Sequence, residues 1–164
     1  MNEAACIVGI DVAKLKLDVA LLNQGKLKSK VFSNTPEGYR ELNAWLTAKG
    51  AQPESSHLCL EATGPYSEMV AIFMSDAGWP VSVVNPARVK GFAQGELARN
   101  KTDRADAALL ARFCAAMRPD LWTPPAATWR ELRAWVDRLQ ALKDMRQQEL
   151  NRIEAYRASG QVAL

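Results

Sequence analysis

Two apolar runs that each stop at a carboxylate set the frame for this chain. Cys6-Ile7-Val8-Gly9-Ile10 ends at Asp11, and His57-Leu58-Cys59-Leu60 ends at Glu61. An unbroken apolar run of this length marks a strand covered on both faces, and an acid at its end adds nothing to such a core. Both strands therefore belong inside a sheet whose edge opens onto a site. Residues 17–22 read as a second strand, and the turn Asn23-Gln24-Gly25 leads into a third over 26–33. There Lys26, Lys28 and Lys30 recur with period two, the pattern that blunts an exposed edge. The connecting turns are short, so strands one to three form an antiparallel meander with the third outermost.

Thr35-Pro36-Glu37 supplies an N-cap, a proline at the first helical position and an acid in the first turn, ahead of Tyr39, Leu42, Trp45 and Leu46 at helical spacing. Gly50 closes that helix. After the strand ending at Glu61, a helix over 67–77 and a fifth strand over 80–84 follow. The order β-β-β-α-β-α-β is an α/β pattern in which strands one and four are parallel neighbours, with their C-terminal ends on one rim. Residues 86–101 form an irregular basic stretch, a loop or short helix carrying Arg88, Lys90, Arg99 and Lys101. Helical periodicity returns over 102–114, with Thr102 as N-cap and Asp103 and Asp106 in the first turns, where the helix dipole favours acids. A linker over 121–128 contains Pro124 and Pro125. Beyond it, Leu132, Val136, Leu139, Leu142, Leu150 and Ile153 draw an apolar stripe along a helix over 129–156. At roughly 40 Å, that helix is too long to bury its stripe on so small a domain, which points to a second copy or a further domain as its partner.

Composition removes several classes. With 48% apolar and 24% charged residues, the chain has the balance of a globular domain. No run of 18 uncharged apolar residues occurs, and Met1-Asn2-Glu3 is acidic where a signal peptide is basic, so neither a membrane nor a secretory route is expected. The three cysteines, Cys6, Cys59 and Cys114, lie far apart in apolar runs and read as core thiols of a protein in a reducing cytoplasm. The net charge of +3 conceals a gradient. Residues 1–85 hold 7 basic and 9 acidic side chains, whereas residues 86–164 hold 14 and 9, with 11 of the 14 being arginine. Arginine's planar fork suits phosphate, so the second half carries the bias toward nucleic acid.

Asp11 and Glu61 on one rim, with Asp103 and Asp106 spaced i, i+3 on one helix face, are placed to converge as four carboxylates. Left bare, two such charges about 4 Å apart repel by roughly 4 kcal/mol at an effective dielectric near 20. A divalent cation relieves that repulsion, and all-oxygen ligands select Mg²⁺ or Mn²⁺. Lys14, Lys90, Arg99, Lys101 and Arg104 surround the rim as candidate phosphate contacts, which position a duplex without reading its sequence. For Arg104, an ion pair with its aspartate neighbours is the alternative.

Taken together, Gly9-Ile10-Asp11-Val12-Ala13-Lys14, Glu61-Ala62-Thr63-Gly64-Pro65-Tyr66, Asn85-Pro86 and Lys101-Thr102-Asp103-Arg104-Ala105-Asp106-Ala107 resemble the N-terminal domain of the DEDD transposases of the insertion-sequence one-ten family, relatives of the Piv-type DNA invertases. The resemblance spans about residues 6–156. It implies a ribonuclease H-like (RuvC-like) α/β fold: a five-stranded mixed sheet flanked by helices, with a long C-terminal helix. It also implies a metal-dependent transposase or recombinase that cleaves and rejoins DNA, with Asp11, Glu61, Asp103 and Asp106 as catalytic and metal-holding acids. Family members carry a nucleophilic serine on a second domain and use a structured guide RNA. The expected organisation is thus a catalytic domain over 1–120, the linker over 121–128, and a coiled-coil segment over 129–164 that forms homo-oligomers and precedes a further domain. The piece alone is expected to be inactive.

Other signals have bland readings. Ser67, Ser75 and Ser82 suit helix or strand positions, and His57, the single histidine, reads as structural or exposed. Gly64 turns the chain out of strand four or lets backbone approach a phosphate. Trp79, Trp122, Trp129 and Trp135 suit packing better than base stacking. Two other classes stay open. An actin or sugar-kinase-like ATPase also begins with a strand ending Gly-x-Asp, but needs a glycine-rich turn where Val12-Ala13-Lys14-Leu15 stands. A non-catalytic nucleic-acid-binding dimerisation module would leave the acids without a role.

Overall fold

The computed structural model describes residues 6–95 and 103–160, with every side chain in those ranges except 103–105. Its elements are β1 (Cys6–Val12), β2 (Lys16–Asn23), β3 (Lys26–Ser33), α1 (Pro36–Ala48), β4 (Ser56–Glu61), α2 (Pro65–Asp76), β5 (Val81–Val84), α3 (Pro86–Gly95), α4 (Asp103–Met117) and α5 (Ala127–Ala158). The five strands form one sheet in the order β3-β2-β1-β4-β5. β1 to β3 pair antiparallel, while β4 runs parallel to both β1 and β5. This mixed order, with its antiparallel meander and two helical crossovers, is the ribonuclease H-like arrangement. Helices cover both faces, and the chain divides into two compact units, residues 1–124 and 125–164.

Alternation along β1 explains why both faces are covered. Val8, Ile10 and Val12 join Leu17, Val19, Leu58 and Leu60 in the larger core, which α1 and α2 close with Tyr39, Leu42, Leu46, Val70 and Met74. Each such side chain contributes roughly 1.5–3 kcal/mol on leaving water. α1 starts where the cap signals place it: Thr35 Oγ1 accepts from the Gly38 N–H at 3.3 Å, and Pro36 stands at the first helical position. β3 is the edge strand, exposed except at Phe32, over whose ring the Lys30 ammonium lies at 4.9 Å.

The opposite face is built for close approach. Ile7, Gly9, Ala20, Cys59 and Val84 present small or slim side chains, and α4 settles on them with Ala107, Leu110, Ala111 and Cys114. A Cβ on Gly9 would stand 2.5 Å from the Ala111 backbone nitrogen and closer still to the Ala107 carbonyl oxygen, so only glycine admits this helix. Farther along, Cys114 lies within electrostatic reach of Cys59 and His57. His57 Nε2 lies 2.7 Å from Ser82 Oγ, which donates to a carbonyl of the segment after α4, with Asp120 at 2.8 Å and Pro119 at 3.1 Å. His57 and Ser82 are therefore structural, and all three cysteines are buried and free.

The basic stretch after residue 85 is helical through Gly95. Asn85 Oδ1 accepts from the Ala87 N–H at 2.8 Å, and Val89 is buried against α4 with Phe92 beside it. Residues 119–122 lie along β5, where the Trp122 N–H donates to Val81 at 2.7 Å. Trp79 is buried, its Nε1 donating to Asn43 Oδ1 at 2.7 Å. In the second unit, α5 has no buried residue; Trp129, Leu132, Trp135, Val136 and Leu139 are all at least half exposed. Positions 129, 132, 136, 139, 143, 146, 150 and 153 follow the 3-4 heptad seam of a coiled coil, with Lys143 and Arg146 interrupting it. Among the described residues, no helix is long and apolar enough to cross a membrane.

Candidate functional site

Asp11 and Glu61 follow the register pair Ile10 and Leu60 on neighbouring parallel strands, and both side chains project on the α4 face. Each is half-buried. α4 runs against β1 and β4: Ala107 lies over Gly9, whereas Cys114, two turns later, meets Cys59 and His57 near the start of β4. Its N-terminal end therefore reaches the C-terminal edge of the two strands and brings Asp106 there. Burial pushes the Glu61 carboxyl above its ordinary value, and the charges of Asp11 and Asp106 push it the same way. Three acids from three elements thus share one electrostatic environment.

Asp103 stands one turn before Asp106 on the same helix, with its backbone in α4 and its side chain outside the described residues. Among the described residues, no three His, Cys, Asp or Glu side chains stand close enough together to grip a metal ion. The donor set is nonetheless all carboxylate at the rim, which suits a hard divalent ion. Of the basic candidates, Lys14 is exposed in the turn after β1 and Lys90 is exposed on α3. Arg104 has its backbone in the first turn of α4, its side chain outside the described residues; Arg99 and Lys101 lie outside them altogether. Gly64 adopts φ 81° and caps β4 into α2, where Ser67 Oγ donates to its carbonyl at 2.9 Å and accepts from Thr63 N–H at 3.1 Å.

One pair escaped the sequence reading. Asp18 pairs with Asp11 across β1 and β2 and lies on the same face, yet is only 4% exposed. Lys16 Nζ holds its Oδ2 at 2.9 Å. The signal was present as an acid breaking the apolar run Leu17-Asp18-Val19-Ala20-Leu21, on the face that period two assigns to Ala20 and Leu22.

A ribonuclease H-like sheet with Asp11, Glu61 and Asp106 near the carboxyl edge of its central strands defines the class by fold. A family model described as "Transposase", of the DEDD, insertion-sequence one-ten type, matches residues 8–156. The "Pilin gene-inverting protein" of Moraxella lacunata is 34% identical over 148 residues, covering 90% of this chain and 46% of that protein, and its counterpart from Moraxella bovis matches equally. The chain therefore belongs to the DEDD transposase family of the insertion-sequence one-ten type, and it spans about half the length of those curated relatives. Among solved structures, "T. thermophilus RuvC in complex with Holliday junction substrate" superposes with a TM-score of 0.48 at 17% identity, covering 68% of this chain and 95% of that one.

Proposed function

We propose that this chain is the catalytic domain of a DNA recombinase that breaks and rejoins phosphodiesters at the edge of β1 and β4 with Mg²⁺ or Mn²⁺. The observation that carries this reading is the meeting of Asp11, Glu61 and Asp106 from three elements at one sheet edge, with Asp103 a turn away. Asp11 and Glu61 are held by strand backbones on either side of a parallel pair, so their separation is set by the sheet. Asp106 and Asp103 are held by a helix seated on Gly9. Divalent ions bound there would activate the attacking oxygen and stabilise the leaving one. Lys14, Lys90 and Arg104, with Arg99 and Lys101, supply phosphate contacts that set the duplex on the rim. In the relatives' context, a nucleophilic serine and a structured guide RNA complete the reaction, and α5 joins a second copy through its heptad seam.

Calorimetric titration of the 164-residue chain with MnCl₂ tests the site. Binding that Asp11→Asn and Asp106→Asn each abolish is the expected result. No heat of binding in a folded chain, together with DNA inversion or excision that survives both substitutions in a protein of the relatives' length, would overturn the assignment.

A further inference from the structure

Asn34 joins the two loops that leave the carboxyl edge of β1 and β4. It follows β3 and precedes the N-cap Thr35, yet its side chain acts at long range: Nδ2 donates to the Ala13 carbonyl at 2.8 Å and to the Tyr66 carbonyl at 3.3 Å. Its Oδ1 accepts from the Tyr39 hydroxyl at 2.6 Å, and Tyr39 is itself buried, with its ring centroid 5.5 Å from that of Phe73. The carboxamide thus uses both amide hydrogens, and the anchored phenol fixes which way it faces. The Asn34 backbone N–H adds a further bond, donated to the Leu15 carbonyl at 3.0 Å. One residue therefore grips the chain on either side of Lys14.

The segments joined in this way are the turn after β1 and the first turn of α2, which follows β4. Their side chains are not those of a purely electrostatic rim. Leu15, Tyr66 and Met69 are 78%, 46% and 56% exposed, and Tyr66 and Met69 stand three apart on one face of α2. Lys14 is exposed in the same turn as Leu15. A phosphate backbone alone calls for cations, whereas a ring and aliphatic groups held near a cation fit a ligand that has both charge and apolar faces. A nucleotide whose base has left its pair is such a ligand, with a phosphate for the ammonium and a π-face for the ring. An uninterrupted duplex keeps those faces within its own stack.

We infer that Tyr66, together with the exposed Leu15 and Met69, is a binding residue for an unpaired DNA base at this edge, with Lys14 on an adjoining phosphate, and that Asn34 is the positioning residue that holds the lip together. The assignment rests on the DNA reading above and adds a substrate class to it: DNA opened at the site, in preference to a continuous duplex. Asn34 touches no DNA. It acts through the turn that carries Lys14 and the helix start that carries Tyr66.

The test is fluorescence anisotropy of the 164-residue chain with two labelled DNAs of equal length, one fully paired and one with a central bubble of unpaired bases, in Mg²⁺. Both carry the same phosphates, so a preference for the bubble reports the bases. The unsubstituted chain should bind the bubble more tightly, and Tyr66→Ala should weaken that binding about tenfold and remove the preference. Tyr66→Phe keeps the ring and should keep the preference. Lys14→Met should instead weaken both DNAs alike and lower the slope of log K against log salt by about one. Asn34→Asp, which cannot donate to the Ala13 and Tyr66 carbonyls, should also lose the preference, and in the Tyr66→Ala background it should add nothing further. Thermal melts identify a variant that fails to fold; Asn34→Ala, which removes the donor without adding a charge, then takes the place of Asn34→Asp. Equal binding of the two DNAs by the unsubstituted chain, or a preference that survives Tyr66→Ala, overturns this assignment and leaves the DNA reading in place. A folded Asn34 variant that keeps the preference overturns the positioning role. Absence of binding to either DNA overturns the DNA reading and this assignment with it.

Discussion

Replacing Gly9 with alanine is the smallest change that moves the site without touching an acid. The added methyl group would meet the Ala107 carbonyl oxygen, the Ala111 nitrogen at 2.5 Å and Leu110 Cβ at 3.0 Å. Two of these are backbone atoms of α4 and cannot swing aside. The helix must lift by more than about 1 Å to restore ordinary contact near 3.4 Å, because the Ala107 carbonyl oxygen is the closest obstacle. Overpacking of this kind costs about 1–3 kcal/mol, and rigid backbone obstacles put this position at the upper end. Against it, alanine narrows the unfolded ensemble and returns about 0.4–1 kcal/mol. The net loss is about 2 kcal/mol, and at roughly 4 °C per kcal/mol for a domain of this size Tm falls by roughly 8 °C. Circular dichroism melts of the metal-free chain measure it. Gly91→Ala makes the control: it is the same chemical change in an exposed turn of α3 with nothing within 4 Å, and it should raise Tm slightly. Because Asp106 rides on the displaced helix, Gly9→Ala should also weaken Mn²⁺ binding. A Gly9→Ala chain that melts within 2 °C of the unsubstituted one and binds Mn²⁺ as tightly would refute the close-packing argument.

The remaining expectations concern charge and assembly. Asp11→Asn should raise the melting temperature of the metal-free chain by removing a repelling neighbour of Glu61, yet abolish the rise seen on adding MnCl₂, which amounts to about 2.7 kcal/mol at a hundredfold excess over Kd. Glu61 titrates above its ordinary 4.5 in the folded state, so between the two values the native chain holds the extra proton. Metal-free stability should then fall as pH rises through that window and level off above it, and Glu61→Gln should flatten the curve measured by urea unfolding at a series of pH values. Light scattering should find the intact chain self-associated and a chain ending at Pro124 monomeric and folded, since α5 exposes its whole apolar stripe. Replacing Lys143 and Arg146 with leucine completes the heptad seam and should tighten that association, seen as a lower dissociation constant in sedimentation.

Much of this architecture is written in local pattern. An apolar run ending in an acid places Asp11 and Glu61 at the ends of central strands, lysines at period two mark β3 as an edge, and Thr35-Pro36 starts α1, because each signal reports how a segment meets its immediate surroundings of water or core. The helix over 86–95 is not legible in its sequence for the same reason. It buries one residue, Val89, so its sequence shows little apolar periodicity, and its start depends on the Asn85 side chain. The attachment of residues 119–122 to β5 is likewise invisible locally, since it consists of hydrogen bonds to Val81 and Ser82 far away in the chain. The site divides along the same line. Which residues are acidic, and that four of them fall at element ends, belongs to the sequence. That α4 lies antiparallel on Gly9 and carries Asp106 to Glu61, and that Asp18 is buried opposite Asp11 with Lys16 drawn over it, was decided only by tertiary packing, because strand register and helix seating depend on contacts between residues dozens of positions apart.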